Sequence, residues 1–472
     1  MTTRSTAADA ALSTIWLALG GSAELPAQVR WAGPGDILPS KLPVATLARA
    51  TVASCALAGA ELWAHRENTG DRATAVGIDA GAIATAFTSE RLLRLNGQAF
   101  GSFAPLSRFW RAADGWVRTH GNYPHHRTRL LAALGVAEGS DDDVVEVVAG
   151  RLATLPAAAI EESVTAAGGL AVAVRTPVQW AAHPQGAAVA ARPLLTLRRA
   201  TLASPRRLPS APAGPVLPAT GVRVLDLTRV IAGPVATRIL ALLGADVLRV
   251  DSPRLPEIEA QHLDTGFGKR STLLDLEQDR DRTVFEKLLS GADVVVTGYR
   301  AGALDRFGLS PQSLLERRPD LVVARLSAWG VAGPWAARRG FDSLVQAACG
   351  IAMLEWDAEG TPGALPAQAL DHGTGYLLAA AVLRALSSRA IEGGGWHAEL
   401  SLAQTARWLV DGGLAKDHPT RDGPYDPARW CAEVDGEVGR FRHALPAMTL
   451  PRGPDTWSHP PRRWGADEPV WR

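Results

Sequence analysis

The chain has 472 residues, too many for one ordinary core, so two to four domains or subdomains are expected. Its 47% hydrophobic and 21% charged residues are the balance of a soluble globular protein. A net charge of +1 without a basic run excludes a polyanion-binding surface, so no nucleic-acid partner is expected.

In chain order, MTTRSTAADAAL at the N-terminus lacks the apolar block of a signal peptide, and no later stretch is long enough to cross a bilayer. A cytoplasmic protein away from membranes is expected. Cys55, Cys349 and Cys431 sit far apart without metal-site spacing and read as buried, reduced thiols. The first hundred residues are dominated by Ala-rich helices. "DGWVRTHGN" (114–122) predicts a strand ending in a turn. "HHRTRLLAALG" (125–135) and "DDDVVEVVAGRLATL" (141–155) predict amphipathic helices, the second opened by acidic residues suited to a helix N-terminus. In "HGNYPHHRTR" (120–129), His120, His125 and His126 have no Cys, Asp or Glu at ligand spacing. A polar turn before a helix is expected there, and no metal.

"ASPRRLPSAPAGPVLPA" (203–219) is rich in Pro, Ala and Ser without periodicity and reads as a linker. Beyond it the pattern changes. "VRVLDL" (222–227) predicts a strand, "TRVIAGPVATRILALLG" (228–244) a turn and helix, and "ADVLRVDSP" (245–253) a second strand. Further strands are expected at "STLLDL" (271–276), "ADVVVTG" (292–298) and "LVVARLS" (321–327), separated by helical pieces such as "DRDRTVFEKLLSG" (279–291). Strands alternating with helices predict an α/β fold with a doubly wound, mostly parallel, Rossmann-like sheet. A ligand would sit beyond the carboxyl ends of the strands, near Val230, Asp251 and Tyr299. No G-x-G-x-x-G follows the first strand and no P-loop occurs, so the usual dinucleotide readings lose their support. Gly233 in "IAGP" could bring backbone close to a ligand or simply allow a tight turn.

"ALDHGTGYLLAAAVLRALSSR" (369–389) predicts a buried helix with Asp371 as the only charge between Glu359 and Arg384. By position, Asp371 could be a helix N-cap. The cap is the reading that position favours, and a functional carboxylate the alternative that the rest of the chain has to support.

From "GVRVLDLTRVIAGPVATRILALLGADVLRVDSP" through "GKRSTLLDL", "ADVVVTGYRAGALDRFGLS" and "GFDSLVQAACG" to "ALDHGTGYLLAAAVLRALSSR", residues 220–410 resemble the family III CoA-transferases of the CaiB/BaiF type. The resemblance implies that Asp371 is a nucleophile, with Gly373 and Gly375 as candidates for close backbone approach to the acyl group. Asp371 would attack an acyl-CoA thioester to give a mixed anhydride, then an aspartyl-CoA thioester that an incoming acid resolves. The implied cofactor is coenzyme A, carried as the acyl-CoA substrate. Val230, Ile231 and Ala232 match adenine-end contacts, Leu274 and Tyr299 apolar contacts, and Arg306 and Arg339 basic positions for the phosphates. Gly298 departs from the asparagine usual there. Racemases on the same fold carry a histidine where Gly340–Phe341–Asp342 has Phe341, which disfavours racemization, the first alternative. A CoA-binding protein without turnover is the second.

The first half resembles the same family out of order. "AELWAHRENTGDRATAVGID" (60–79) is similar to the segment after the catalytic aspartate, with Arg66 matching Arg389 and Gly70 matching Gly393 at an offset of 323. That offset puts Ala48 where Asp371 would be. The implied organisation is a degenerate partial large-domain copy (1–100), a small α+β domain (101–202) and the linker (203–219). A CoA-binding catalytic domain (220–410) follows, then a C-terminal segment returning to the large domain (411–472). Family members form interlocked dimers, so the expected state is a monomer imitating such a dimer, or a homodimer.

Overall fold

The protein is described by a computed structural model covering residues 7–67, 76–101, 103–208, 216–416, 424–450 and 453–472. Its largest sheet has seven strands: β1 (Leu195–Arg199), β2 (Arg223–Leu227), β3 (Asp246–Asp251), β4 (Arg270–Leu273), β5 (Val294–Thr297), β6 (Val322–Ser327) and β7 (Trp396–Ser401). Their order is β4-β3-β2-β5-β6-β7-β1. Strands β2 to β7 run parallel, and β1 closes one edge antiparallel to β7. Every residue of β5 is buried, as expected of a central strand covered by helices on both faces. Each predicted strand of the second half is present within a few residues, and the helix over 279–291 spans Asp279–Gly291.

Four helices organise the centre: α1 (Val44–Glu67), α2 (Ala232–Leu242), α3 (Asp342–Ala348) and α4 (Ala369–Glu392). Helix α4 is buried on all sides from Ala369 to Arg389, which its small apolar composition permits. It packs between α1 and α2. A Cβ on Gly373 would lie 2.7 Å from Leu47 of α1, and one on Gly375 2.6 Å from the Ala232 carbonyl of α2. These two glycines therefore serve helix–helix approach, and the expectation that they face a bound acyl group is corrected.

The small domain has its own core. Strands Phe109–Ala112, Gly115–Thr119 and Ala171–Ala173 form an antiparallel sheet. Helices Pro124–Leu134, Asp141–Ala153 and Ala157–Ala166 pack on it through Leu130, Val148, Ile160 and Val164. Ser140 caps the second helix, and Asp141, Asp142 and Asp143 fill its first turn. The chain then enters the large sheet as β1 before residue 202, so the expected small-domain span ends inside that sheet. Of the expected linker, 209–215 lies outside the described residues. Its start is seated: the Ala203 carbonyl accepts from Gly394, and Arg206 pairs with Asp293 at 3.0 Å.

The first half carries a smaller version of the β6–β7–β1 edge. Val29–Ala32 and Val76–Asp79 pair in parallel, and Met448–Thr449, from the chain's other end, joins antiparallel. Helices α1 and α4 are both 24 residues long. Each precedes a strand and then a helix, Ala80–Ala86 in one case and Leu402–Asp411 in the other. Glu61 of α1 and Arg384 of α4 form an ion pair across their contact, and 384 − 61 is 323, the offset read from the sequence. The C-terminal tail closes on the opposite edge of the large sheet, where the Asp467 carboxylate accepts from the Ser271 amide at 2.9 Å.

Candidate active site

Asp371 is the third residue of α4, and the helix mouth it occupies is capped by another residue. The Asp342 carboxylate, at the start of α3, accepts from the amides of Leu370 and Asp371 at 2.9 and 3.0 Å. Gln346 donates to the same carboxylate and accepts from Leu365, fixing Asp342 in place. The free N–H groups of the first turn are thus satisfied from outside the helix. Among the described residues nothing hydrogen-bonds to the Asp371 carboxylate, although the residue is only 6% exposed. The cap reading offered by its position belongs to Asp342, and Asp371 is left with its oxygens uncommitted.

Burial pushes the Asp371 carboxyl well above the ordinary carboxylate range, and the Asp342 and Glu90 carboxylates add to the shift. Burial also raises Asp342, to about 6, against the opposing hydrogen bonds from Asp371, Gln346 and Leu370. Glu90 comes from the first half of the chain and meets the ring of His372 at 3.3 Å.

Asp371 opens on a cavity of about 210 Å³. Of the residues singled out from sequence, Val230, Ala232, Tyr299 and Arg339 also line it. Ile231, Leu274 and Arg306 do not. Ile231 and Leu274 are buried in the hydrophobic clusters against which Val230 and Tyr299 pack. Arg306 is exposed, pairs with Glu277 at 2.5 Å and lies over the Phe307 ring. Val230 has φ +71°, a left-handed conformation that a β-branched residue adopts only under strain. Its amide donates to Glu257, a fully buried carboxylate that also accepts from Arg249 and from the Tyr123 hydroxyl. Burial opposes ionisation of Glu257, but Arg249 and Arg229 outweigh it and hold the carboxyl down at about 2. A Cβ on Gly298 would come 3.2 Å from the Thr228 Cβ, so Thr228 takes up the room that a larger residue there would need.

The small domain supplies a wall that the sequence had not assigned. Tyr123, His125 and His126 line the cavity. His120 stacks on Phe341 with ring centres 3.9 Å apart, and His126 stands edge-on to Phe341 at 5.8 Å. The turn and helix expected here are present, but His120 and His126 are buried. No sequence signal marked them, because the surface that buries them belongs to residues more than 200 positions away. At the mouth, Arg300 and Arg339 are exposed and form no ion pair among the described residues; burial, then the charges of Arg300 and Arg129, lower Arg339. No group of three or more potential metal ligands occurs among the described residues.

Residues 220–429 match the family described as CoA-transferase family III. It is 35% identical over 256 residues to the acetyl-coenzyme A transferase nodX of Hypoxylon pulicicidum, covering 52% of this chain and 41% of that one. It is 32% identical over 242 residues to a formyl-CoA:oxalate CoA-transferase of Streptomyces coelicolor, covering 46% and 58%. A crystal structure of Rv3272 from M. tuberculosis is 35% identical, with a TM-score of 0.41 over 43% of this chain and 57% of that one. The chain spans about half the length of the curated relatives it matches. The parallel strands β2 to β7 and the helices α2, α3 and α4 all lie within the matched segment. No described helix is long and apolar enough to cross a membrane.

Proposed function

We propose that the protein is a CoA-transferase that moves coenzyme A from an acyl-CoA to a carboxylic acid through Asp371. The observation that carries this reading is a buried carboxylate at a helix mouth whose capping work is done by Asp342, leaving its oxygens free toward a cavity. An ionised Asp371 oxygen attacks the thioester carbonyl, a C–O bond forms, the C–S bond breaks, and CoA leaves as thiolate. The thiolate then returns to the aspartyl carbonyl and releases the first acid. The incoming acid reverses both steps, so one difficult exchange becomes several easier ones. The enclosing walls keep water from the anhydride.

In this reading Val230, Ala232 and Tyr299 line the path of the CoA arm, with Ile231 and Leu274 packing behind them. Arg339 beside Arg300 offers an unneutralised pair of charges to the phosphates. Arg306 would have to exchange Glu277 for a phosphate to take part. Mixing the protein with an acyl-CoA and hydroxylamine should leave a hydroxamate at Asp371, read by mass spectrometry; a protein that turns over acyl-CoA with no label there removes the reading.

A second reading, an acyl-CoA racemase, draws on the imidazoles of His125 and His126 in the cavity, although Phe341 holds the racemase position. Deuterium wash-in at the α-carbon without transfer would favour it. Binding with neither outcome would leave a CoA-binding protein. We also propose that one chain stands for most of an interlocked dimer with a single working site. The mirrored sheet edges and the Glu61–Arg384 pair support this.

A further inference from the structure

In the sequence, His126 was one of three histidines in a polar turn. Folding buries it in the wall of the Asp371 cavity. The ring is held edge-on between Tyr123, at 5.3 Å, and Phe341, at 5.8 Å, so its plane is fixed by aromatic packing. Its Nδ1 is buried without a hydrogen-bond partner among the described residues. Burial, followed by His125, His120 and Arg339, lowers its pKa to about 2, so the ring is neutral at physiological pH. A neutral imidazole has one N–H and one lone pair. Leaving the lone pair unpaired inside the protein costs less than leaving the N–H unpaired, which puts the proton on Nε2.

We propose that His126 is a further catalytic residue, whose Nε2–H donates a hydrogen bond to the thioester carbonyl oxygen of the bound acyl-CoA. This rests on the reaction proposed above. As the Asp371 oxygen bonds to the carbonyl carbon, the π pair moves onto that oxygen, and the hydrogen bond strengthens as negative charge develops there. When the C=O re-forms, the C–S bond breaks and the thiolate departs. His126 keeps its proton throughout. The small domain thereby supplies the donor and the large domain the nucleophile. The site is complete only when the two are docked, and the Tyr123–Glu257 hydrogen bond beside it joins them.

The test compares His126→Gln, which keeps a side-chain N–H, with His126→Phe, which keeps the aromatic packing alone. Removing one such donor typically costs on the order of 10² to 10³ in kcat. The Phe variant should lose about that much with KM for acyl-CoA nearly unchanged, and the Gln variant should recover much of it. Equal loss in both, or no loss in Phe, overturns the assignment. Should the Phe variant not fold, the carbonyl stretch of acyl-CoA bound to unreactive Asp371→Asn decides. A stretch lowered relative to free acyl-CoA, and restored toward the free value when His126→Gln is replaced by His126→Leu in that background, supports the assignment; an unshifted stretch overturns it. If instead Asp371→Asn transfers like the wild type, the fault lies with the proposed reaction and not with His126.

Discussion

In the proposed reaction Asp342 and Asp371 divide between them two tasks that one aspartate could have been assigned. Helix capping needs a carboxylate that is committed to backbone amides, whereas attack on a thioester needs one that is not. Replacing Asp371 with Asn should lower transfer by about 10³-fold or more while leaving acyl-CoA binding in place, measured by single-turnover kinetics alongside a direct binding titration. The pair also sets a pH dependence. Both carboxyls are raised, so as pH falls the Asp371 carboxylate is lost earlier than an exposed aspartate would be. Asp342→Asn keeps an oxygen for capping and removes a negative charge, which lets Asp371 ionise at lower pH. The acid limb of kcat should therefore move to lower pH; an unmoved limb would mean that the two groups do not titrate together. Stability follows the opposite sense. A carboxyl raised in the folded state holds its proton where the unfolded chain has lost it, so the contribution of Asp342 fades as pH rises from its unfolded value of 3.8 toward about 6. The wild type should lose thermal stability relative to Asp342→Asn across that interval.

At the scale of elements, the loop between β2 and α2 is held under strain by a buried charge cluster. Val230 keeps φ +71° while its amide is bonded to Glu257, which is itself tied to Arg249, Arg229 and Tyr123. A glycine at 230 would adopt this conformation without the left-handed penalty, about 1–2 kcal/mol. Val230→Gly should consequently not fall in thermal stability by the amount a lost buried valine would suggest, while KM for acyl-CoA rises because an apolar wall is gone. Glu257→Ala should be more damaging, about 3 kcal/mol by denaturant titration, because the Val230 amide, the Tyr123 hydroxyl and Arg229 lose their shared acceptor and buried Arg249 keeps only Asp251, at 2.7 Å. The glycines of α4 illustrate a different limit of sequence reading. Gly373 and Gly375 stand two and four residues from Asp371, and in a single chain of letters proximity suggests chemistry. Their missing side chains make room for Leu47 and for the Ala232 carbonyl, partners that only the packed helices identify.

For the whole molecule, the arrangement exchanges strands between its halves. Strand β1 leaves the small domain to complete the large sheet, and Met448–Thr449 returns from the C-terminus to complete the small sheet of the first half. Two edges of the same order are thus each finished by a strand from elsewhere in the chain. Ala48, which the proposed single-chain dimer sets against Asp371, is fully buried and has no reactive group. Hydroxylamine trapping should accordingly label one carboxylate per chain, with sedimentation giving the mass of the labelled particle; two labelled carboxylates per chain would defeat the single-site proposal. Arg384→Leu, which leaves Glu61 unpaired on the contact of α1 with α4, should destabilise both halves in one cooperative transition.

The sequence by itself determined the parallel strands of the second half, the buried helix behind Asp371 and the amphipathic helices of the small domain. Those are properties of periodicity and local composition, which a short window of residues already contains. Only the tertiary structure decided that Asp342 caps α4, that Tyr123, His125 and His126 wall the cavity, that Arg306 stands outside it, and that β1 belongs to the large sheet. Each of these depends on surfaces contributed by residues distant in the chain, and burial, capping and charge pairing are fixed where such surfaces meet.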